Sequence, residues 1–133
     1  MIFFDRVTKV YPDTSVALQN ITLTIEPNEF VSIVGQSGAG KTTLLKMLLA
    51  EEKPSEGKIF YESSDVNRLS KNEMNNLRRK IGMIFQDFRL ISGKTVYENI
   101  AFTMEASGKT DEEIEQDVPH VLELVDLSNK IWN

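Results

Sequence analysis

The sequence predicts an α/β domain entered through a β-rich segment. Two strand-like stretches open the chain. A short apolar run at Phe30–Val34 then passes directly into a glycine-rich loop and an amphipathic helix, and from there strand-like and helix-like segments alternate. The 133 residues are enough for one domain with its own core. The reading is a single unit, 1–133, with residues 1–29 as the β-rich entry and 30–133 as the core and the start of a helical region.

Each element has a local reason. Ile2–Val10 and Ala17–Ile25 read as strands, separated by the turn formers Tyr11-Pro12-Asp13. Glu26-Pro27-Asn28-Glu29 is a turn. Phe30-Val31-Ser32-Ile33-Val34 is a β-branched run suited to a buried strand, apolar apart from Ser32. A helix is predicted over Lys41–Ala50, where Leu44, Leu45, Leu48 and Leu49 form an apolar stripe. Pro54-Ser55-Glu56-Gly57 closes that segment and introduces a strand at Lys58–Tyr61. Ser70 with Glu73, Thr95 with Glu98, and Thr110 with Glu113 each set an oxygen acceptor three residues before a carboxylate, so three helices should begin there. Ile81–Phe85 reads as a second core strand. The last helix, Asp111–Val125, repeats apolar residues at Ile114, Val118, Leu122 and Val125, and Pro119 should kink it.

Composition narrows the class. An apolar fraction of 41% with 26% charged residues is that of a soluble globular protein. No apolar run approaches the ~18–20 residues that cross a bilayer, and no cationic, hydrophobic leader opens the chain. Without cysteine there is neither a disulfide framework nor a thiolate metal site. The net charge of −5 is concentrated in residues 111–133, where one base faces seven acids. Such a tail argues against a grip on nucleic acid, so none is expected, and any membrane attachment should run through a protein partner. His120 lies among those acids and reads as a surface residue.

The chemistry is spelled at Gly35-Gln36-Ser37-Gly38-Ala39-Gly40-Lys41-Thr42, which matches Gly-x4-Gly-Lys-[Ser/Thr] in full. Phosphate oxygens need several backbone N–H groups aimed inward, and the required curvature uses φ angles that glycine tolerates. The helix that follows sets its positive end against the anion. Lys41 adds a point charge for the β and γ phosphates. Thr42 offers a hydroxyl to Mg²⁺, which prefers hard oxygen ligands.

Beyond the loop, Tyr11, Val16-Ala17-Leu18 and Phe30–Val34 resemble the entry of ATP-binding-cassette ATPases, in which an aromatic at this place stacks on adenine. Leu77–Asp87, ending Ile81-Gly82-Met83-Ile84-Phe85-Gln86-Asp87, resembles that family's Q-loop segment. The resemblance continues through Asp87-Phe88-Arg89-Leu90 and Thr95-Val96-Tyr97-Glu98-Asn99-Ile100, covering residues 2–130. It implies a P-loop NTPase fold with a β-rich N-terminal subdomain. It also implies ATP and Mg²⁺ as ligands, held by Tyr11, Gly35, Gln36, Ser37, Gly38, Ala39, Gly40, Lys41, Thr42, Thr43 and Gln86, with Thr42 and Gln86 facing the metal. Arg78-Arg79-Lys80 reads as a solvated helix end. Phe88 and Leu90 read either as partner contacts or as core beneath their loop. At Ala50, where relatives usually carry glycine, the helix end is left open.

The phrases around Gln86 and Tyr97 are most similar to cell-division members of the family, with lipoprotein-release and macrolide-export ATPases close by. In the complete protein this implies ATP hydrolysis at the cytoplasmic face of the cell membrane, a homodimer, and an FtsX-like integral membrane partner. The family's Leu-Ser-Gly-Gly-Gln-type signature, its Asp-Glu strand and its switch histidine are not among residues 1–133. No catalytic residue is therefore assigned within the chain. These residues alone are expected to bind nucleotide weakly or not at all, to turn over negligibly and, with apolar edges uncovered, to tend toward aggregation. The alternatives are an exporter ATPase subunit and, in another class, a nucleotide-binding module without turnover. A small-molecule kinase would leave the Phe85-Gln86 segment unexplained.

Overall fold

β1 (Ile2–Val10) and β2 (Val16–Ile25) pair antiparallel in the computed structural model, which describes residues 1–133. The turn between them closes when Tyr11 N–H donates to Ser15 O and Thr14 N–H to Tyr11 O, both at 2.9 Å. β3 (Glu56–Tyr61) pairs with the other edge of β1, and the short β4 (Ser64–Asp65) with β3. The sheet order is β2-β1-β3-β4, antiparallel throughout. Register shifts follow Phe4 in β1, where Arg6 takes φ 49°; these bulges bend the strand.

The chain divides into two compact units, Met1–Gly82 and Met83–Asn133. In the first, one face of the sheet presents Phe4, Val7, Leu18 and Ile59. Against it pack Leu44, Met47 and Leu48 of α1 (Lys41–Leu48), Leu77 of α2 (Lys71–Lys80) and Val66. Phe4, Val7, Met47, Ile59 and Val66 are fully buried. Each such side chain contributes roughly 1.5–3 kcal/mol on leaving water. The phosphate-loop helix is thus fastened to the β-rich entry by its apolar stripe.

In the second unit α3 (Val96–Ser107) and α4 (Asp111–Leu124) meet through Ala101, Ile114, Val118 and Leu122. All three capping boxes form as the sequence predicts, at Ser70/Glu73, Thr95/Glu98 and Thr110/Glu113. α4 runs from Asp111 to Leu124 with Pro119 inside it. Asn99 draws the preceding loop onto α3: its Oδ1 accepts from Ile91 N–H (2.7 Å) and its Nδ2 donates to Thr95 O (2.9 Å).

Four expectations are corrected. Phe30–Val34 forms no strand, and Phe30 and Val34 are 95% and 87% exposed. Ile81–Phe85 forms none either, with Ile84 92% exposed. A largely apolar strand needs hydrogen-bonding neighbours and cover on both faces, and neither stretch pairs with any strand of the β2-β1-β3-β4 sheet. The first helix ends at Leu48 instead of Ala50. Ala50 takes a left-handed φ of 49°, while Ala50 N–H donates to Met47 O (3.0 Å) and Glu51 N–H to Lys46 O (2.9 Å). This closes the helix in the geometry that favours glycine. Arg78 is more than a solvated cation: its Nε donates to Leu49 O (3.0 Å) and its Nη2 to Ala50 O (3.4 Å), capping the end of α1.

Candidate functional site

The loop begins where Val34 ends and turns tightly, with Ala39 N–H donating to Gln36 O (3.2 Å). Gly38 and Gly40 both lie in the left-handed region, at φ 80° and 81°. Gly40 is the N-cap of α1 and rests against β2. A Cβ there would collide with the Ala17 carbonyl oxygen and approach Leu18 Cδ2 to 2.7 Å. Only glycine lets the loop sit that close to the sheet.

The consequence is a row of unused donors. The first helical bond of α1 runs from Leu44 N–H to Gly40 O (2.9 Å). The amides of Gly38, Gly40, Lys41, Thr42 and Thr43 donate to no protein acceptor, no side chain caps the helix, and its first turn carries no acid. Orphan amides at the positive end of a helix form an anion site. Lys41 bends back over the loop and donates from Nζ to Gly35 O and Gln36 O, both at 2.7 Å. Its two partners are neutral carbonyls, so its charge is uncompensated. The Thr42 side chain is exposed and makes no hydrogen bond within the protein. Amides, an ammonium and a free hydroxyl on one turn suit a phosphate chain with a hard cation beside it. Gly35, Gln36, Ser37 and Ala39 form the exposed arc of the same turn.

Tyr11 belongs to this unit and is tied to it. Its hydroxyl lies 3.3 Å from Thr43 Oγ1 on the first turn of α1. Lys9 Nζ stands 5.0 Å from the ring centroid, held by Glu52 Oε2 (2.8 Å) and by donation to Lys53 O (2.8 Å). The hydrogen bond from Lys9 holds the Glu52 carboxyl below the usual carboxylate range, with smaller help from Lys46 and Tyr11 and against partial desolvation. Lys9 and Glu52 were not anticipated from the sequence. The available signal was the two-residue offset between Lys9 and Tyr11, which puts both on one side of an extended strand end.

Gln86 lies in the second unit, exposed, in a turn just after the Ile81–Phe85 stretch. Phe88 and Arg89 next to it take positive φ, at 57° and 50°. Arg89 stacks its guanidinium 3.6 Å from the Phe85 ring centroid and pairs with Asp87 at 3.8 Å. Phe88 and Leu90 are 76% and 71% exposed, so they do not pack beneath the loop.

A glycine cradle opening α1, beneath an antiparallel β-rich sheet, defines a class of protein. Residues 18–132 match the family described as ABC transporter, and the chain belongs to that family with the fold of its ATPase cassettes. It is 45% identical over 130 residues to the cell division ATP-binding protein FtsE of Bacillus subtilis, covering 98% of this chain and 57% of that protein. To FtsE of Escherichia coli K12 it is 42% identical, covering 100% and 60%. It also resembles the ATP-binding cassette MJ0796, solved as a dimer in a post-hydrolysis state bound to ADP and Pi. There the TM-score is 0.87 at 34% identity, over all of this chain and 60% of that one. The chain therefore spans 57–60% of the length of these relatives. No helix is long and apolar enough to cross a membrane.

Proposed function

We propose that the chain binds ATP through Gly35–Thr43, and that in the whole protein this drives ATP hydrolysis coupled to an integral membrane partner in cell division or cell-envelope work. The row of unpartnered amides opening α1 carries the reading. The amides of Gly38, Gly40, Lys41, Thr42 and Thr43 receive the phosphate oxygens, and the fixed loop lets them do so without reorganising. Lys41 releases the Gly35 and Gln36 carbonyls and turns to the β and γ phosphates. Thr42 would offer its hydroxyl to a magnesium ion, and Gln86, exposed on a turn of the second unit, would offer its amide oxygen as a metal ligand. Magnesium, when bound, would supply a hard Lewis acid that offsets phosphate charge. Tyr11 takes the base on its ring.

Similarity to two FtsE proteins supports the cell-division setting, an FtsX-like partner and a place at the cytoplasmic face of the membrane. The dimeric MJ0796 cassette supports a homodimer in the complete protein. The exposed Phe88 and Leu90 suit a contact with the membrane partner. In this reading the water-activating carboxylate and the opposing subunit's signature lie outside residues 1–133, so these residues alone turn over negligibly.

The test is a titration of wild type and Lys41→Ala with a fluorescent ATP analogue and magnesium. Loss of a charge-assisted contact of roughly 1.5–3 kcal/mol should weaken binding more than about tenfold. Equal affinities would refute the assignment.

A further inference from the structure

Tyr11 is immobilised from two directions before any ligand arrives. Its hydroxyl is tied to Thr43 Oγ1 on the phosphate-loop helix, and one face of its ring is taken by the Lys9 ammonium. The Lys9 ammonium is itself fixed, by Glu52 and by the Lys53 carbonyl, and its side chain is only 13% exposed. Lys9 lies outside the apolar core, so its contacts with Glu52, Lys53 and the Tyr11 ring are electrostatic in character.

We propose that Lys9 is a positioning and affinity-setting residue of the base site, closing one face of Tyr11 so that a nucleobase stacks on the other. This rests on the ATP-binding reading above and deepens it. Two physical effects follow. With one face occupied, the ring offers a single stacking surface at a distance from the loop fixed by Thr43, which lowers the ordering cost of binding. In addition, a cation on the back of an aromatic ring withdraws electron density from it, which strengthens stacking with an electron-rich purine on the front. Lys9 would thus act on the base and leave the phosphates untouched, since its ammonium is engaged by Glu52 and the Lys53 carbonyl and stands over the Tyr11 ring.

The experiment compares Mg-ATP with Mg-tripolyphosphate by calorimetry on the protein as the cell makes it, in wild type, Lys9→Met and Lys9→Arg. Lys9→Met should weaken ATP about three- to tenfold, the range of a partly desolvated cation–π contact. Tripolyphosphate affinity should stay within about twofold of wild type, because the cradle alone holds it. Lys9→Arg should keep ATP affinity, since a guanidinium stacks on the same ring face. A parallel loss for both ligands in Lys9→Met would make Lys9 merely structural and overturn the proposal. Unchanged ATP affinity in Lys9→Met would overturn it as well. A wild type that binds neither ligand would overturn the ATP-binding reading along with it, so the two failures are distinguishable.

Discussion

Gly38 and Gly40 provide a controlled comparison inside one loop. Both sit at nearly the same positive φ, 80° and 81°, so alanine at either meets the same backbone strain. That strain is about 1–2 kcal/mol for an L-residue held in the left-handed region. The surroundings differ. A Cβ on Gly38 meets nothing within 4 Å, whereas one on Gly40 overlaps the Ala17 carbonyl oxygen and comes within 2.7 Å of Leu18 Cδ2. The oxygen is backbone in a paired strand, and Leu18 belongs to the core, so neither yields easily. Overpacking of that kind adds roughly 1–3 kcal/mol. Gly38→Ala should therefore destabilise by about 1–2 kcal/mol and Gly40→Ala by about 2–5 kcal/mol. Urea titrations followed by far-UV circular dichroism separate the two as midpoint shifts. A Gly40→Ala midpoint no lower than that of Gly38→Ala would refute the claim that the loop is seated against β2.

Two further outcomes follow from the helix ends. Ala50→Gly should stabilise by about 0.5–1 kcal/mol, because Ala50 already occupies the left-handed position that ends α1; a lower thermal midpoint than wild type would contradict this. The carboxyls of Glu98 and Glu113 sit below their usual value of 4.5, Glu98 chiefly through the Thr95 backbone amide and Glu113 chiefly through Lys109. Their contribution is present above pH 4.5 and is lost as pH falls through the depressed folded values. Glutamine keeps the capping hydrogen bond without the charge, so Glu98→Gln combined with Glu113→Gln should flatten the acid limb of stability against pH. An unchanged slope in denaturant midpoints between pH 5 and pH 3 (roughly one unit to either side of the usual carboxylate value) would rule this out.

What was legible in the sequence was what is encoded locally. The phosphate loop is eight consecutive residues, and its curvature follows from glycines within it. The three helix starts are legible because each capping box needs only four residues. Phe30–Val34 and Ile81–Phe85 were misjudged for the opposite reason. An apolar, β-branched run encodes a demand for burial, but a strand exists only where another strand accepts its hydrogen bonds, and that is a non-local fact. The environment of Tyr11 was hidden for the same reason: Glu52 and Thr43 are distant in sequence and meet Lys9 and Tyr11 only once α1 packs on the sheet. Ala50 is the intermediate case, since departure from a usual glycine marked the right residue without revealing that its φ is positive.

The candidate site is stiff because α1 is held at both ends and along its length. At its N-terminus Gly40 rests on Ala17 and Leu18, and Thr43 meets the Tyr11 hydroxyl. At its C-terminus Arg78 caps the Leu49 and Ala50 carbonyls, and between them Leu44, Met47 and Leu48 are buried. What remains unsatisfied is confined to the amides that open the helix. Unpaired backbone donors are a standing cost to the folded state, tolerable here because water reaches an exposed loop. An anion that replaces that water needs no rearrangement of the backbone, so little of its binding energy is spent on ordering the protein. The same incompleteness that makes this turn a weak point of the fold makes it a receptive one, and the rigidity of everything around it keeps the donors from closing on themselves.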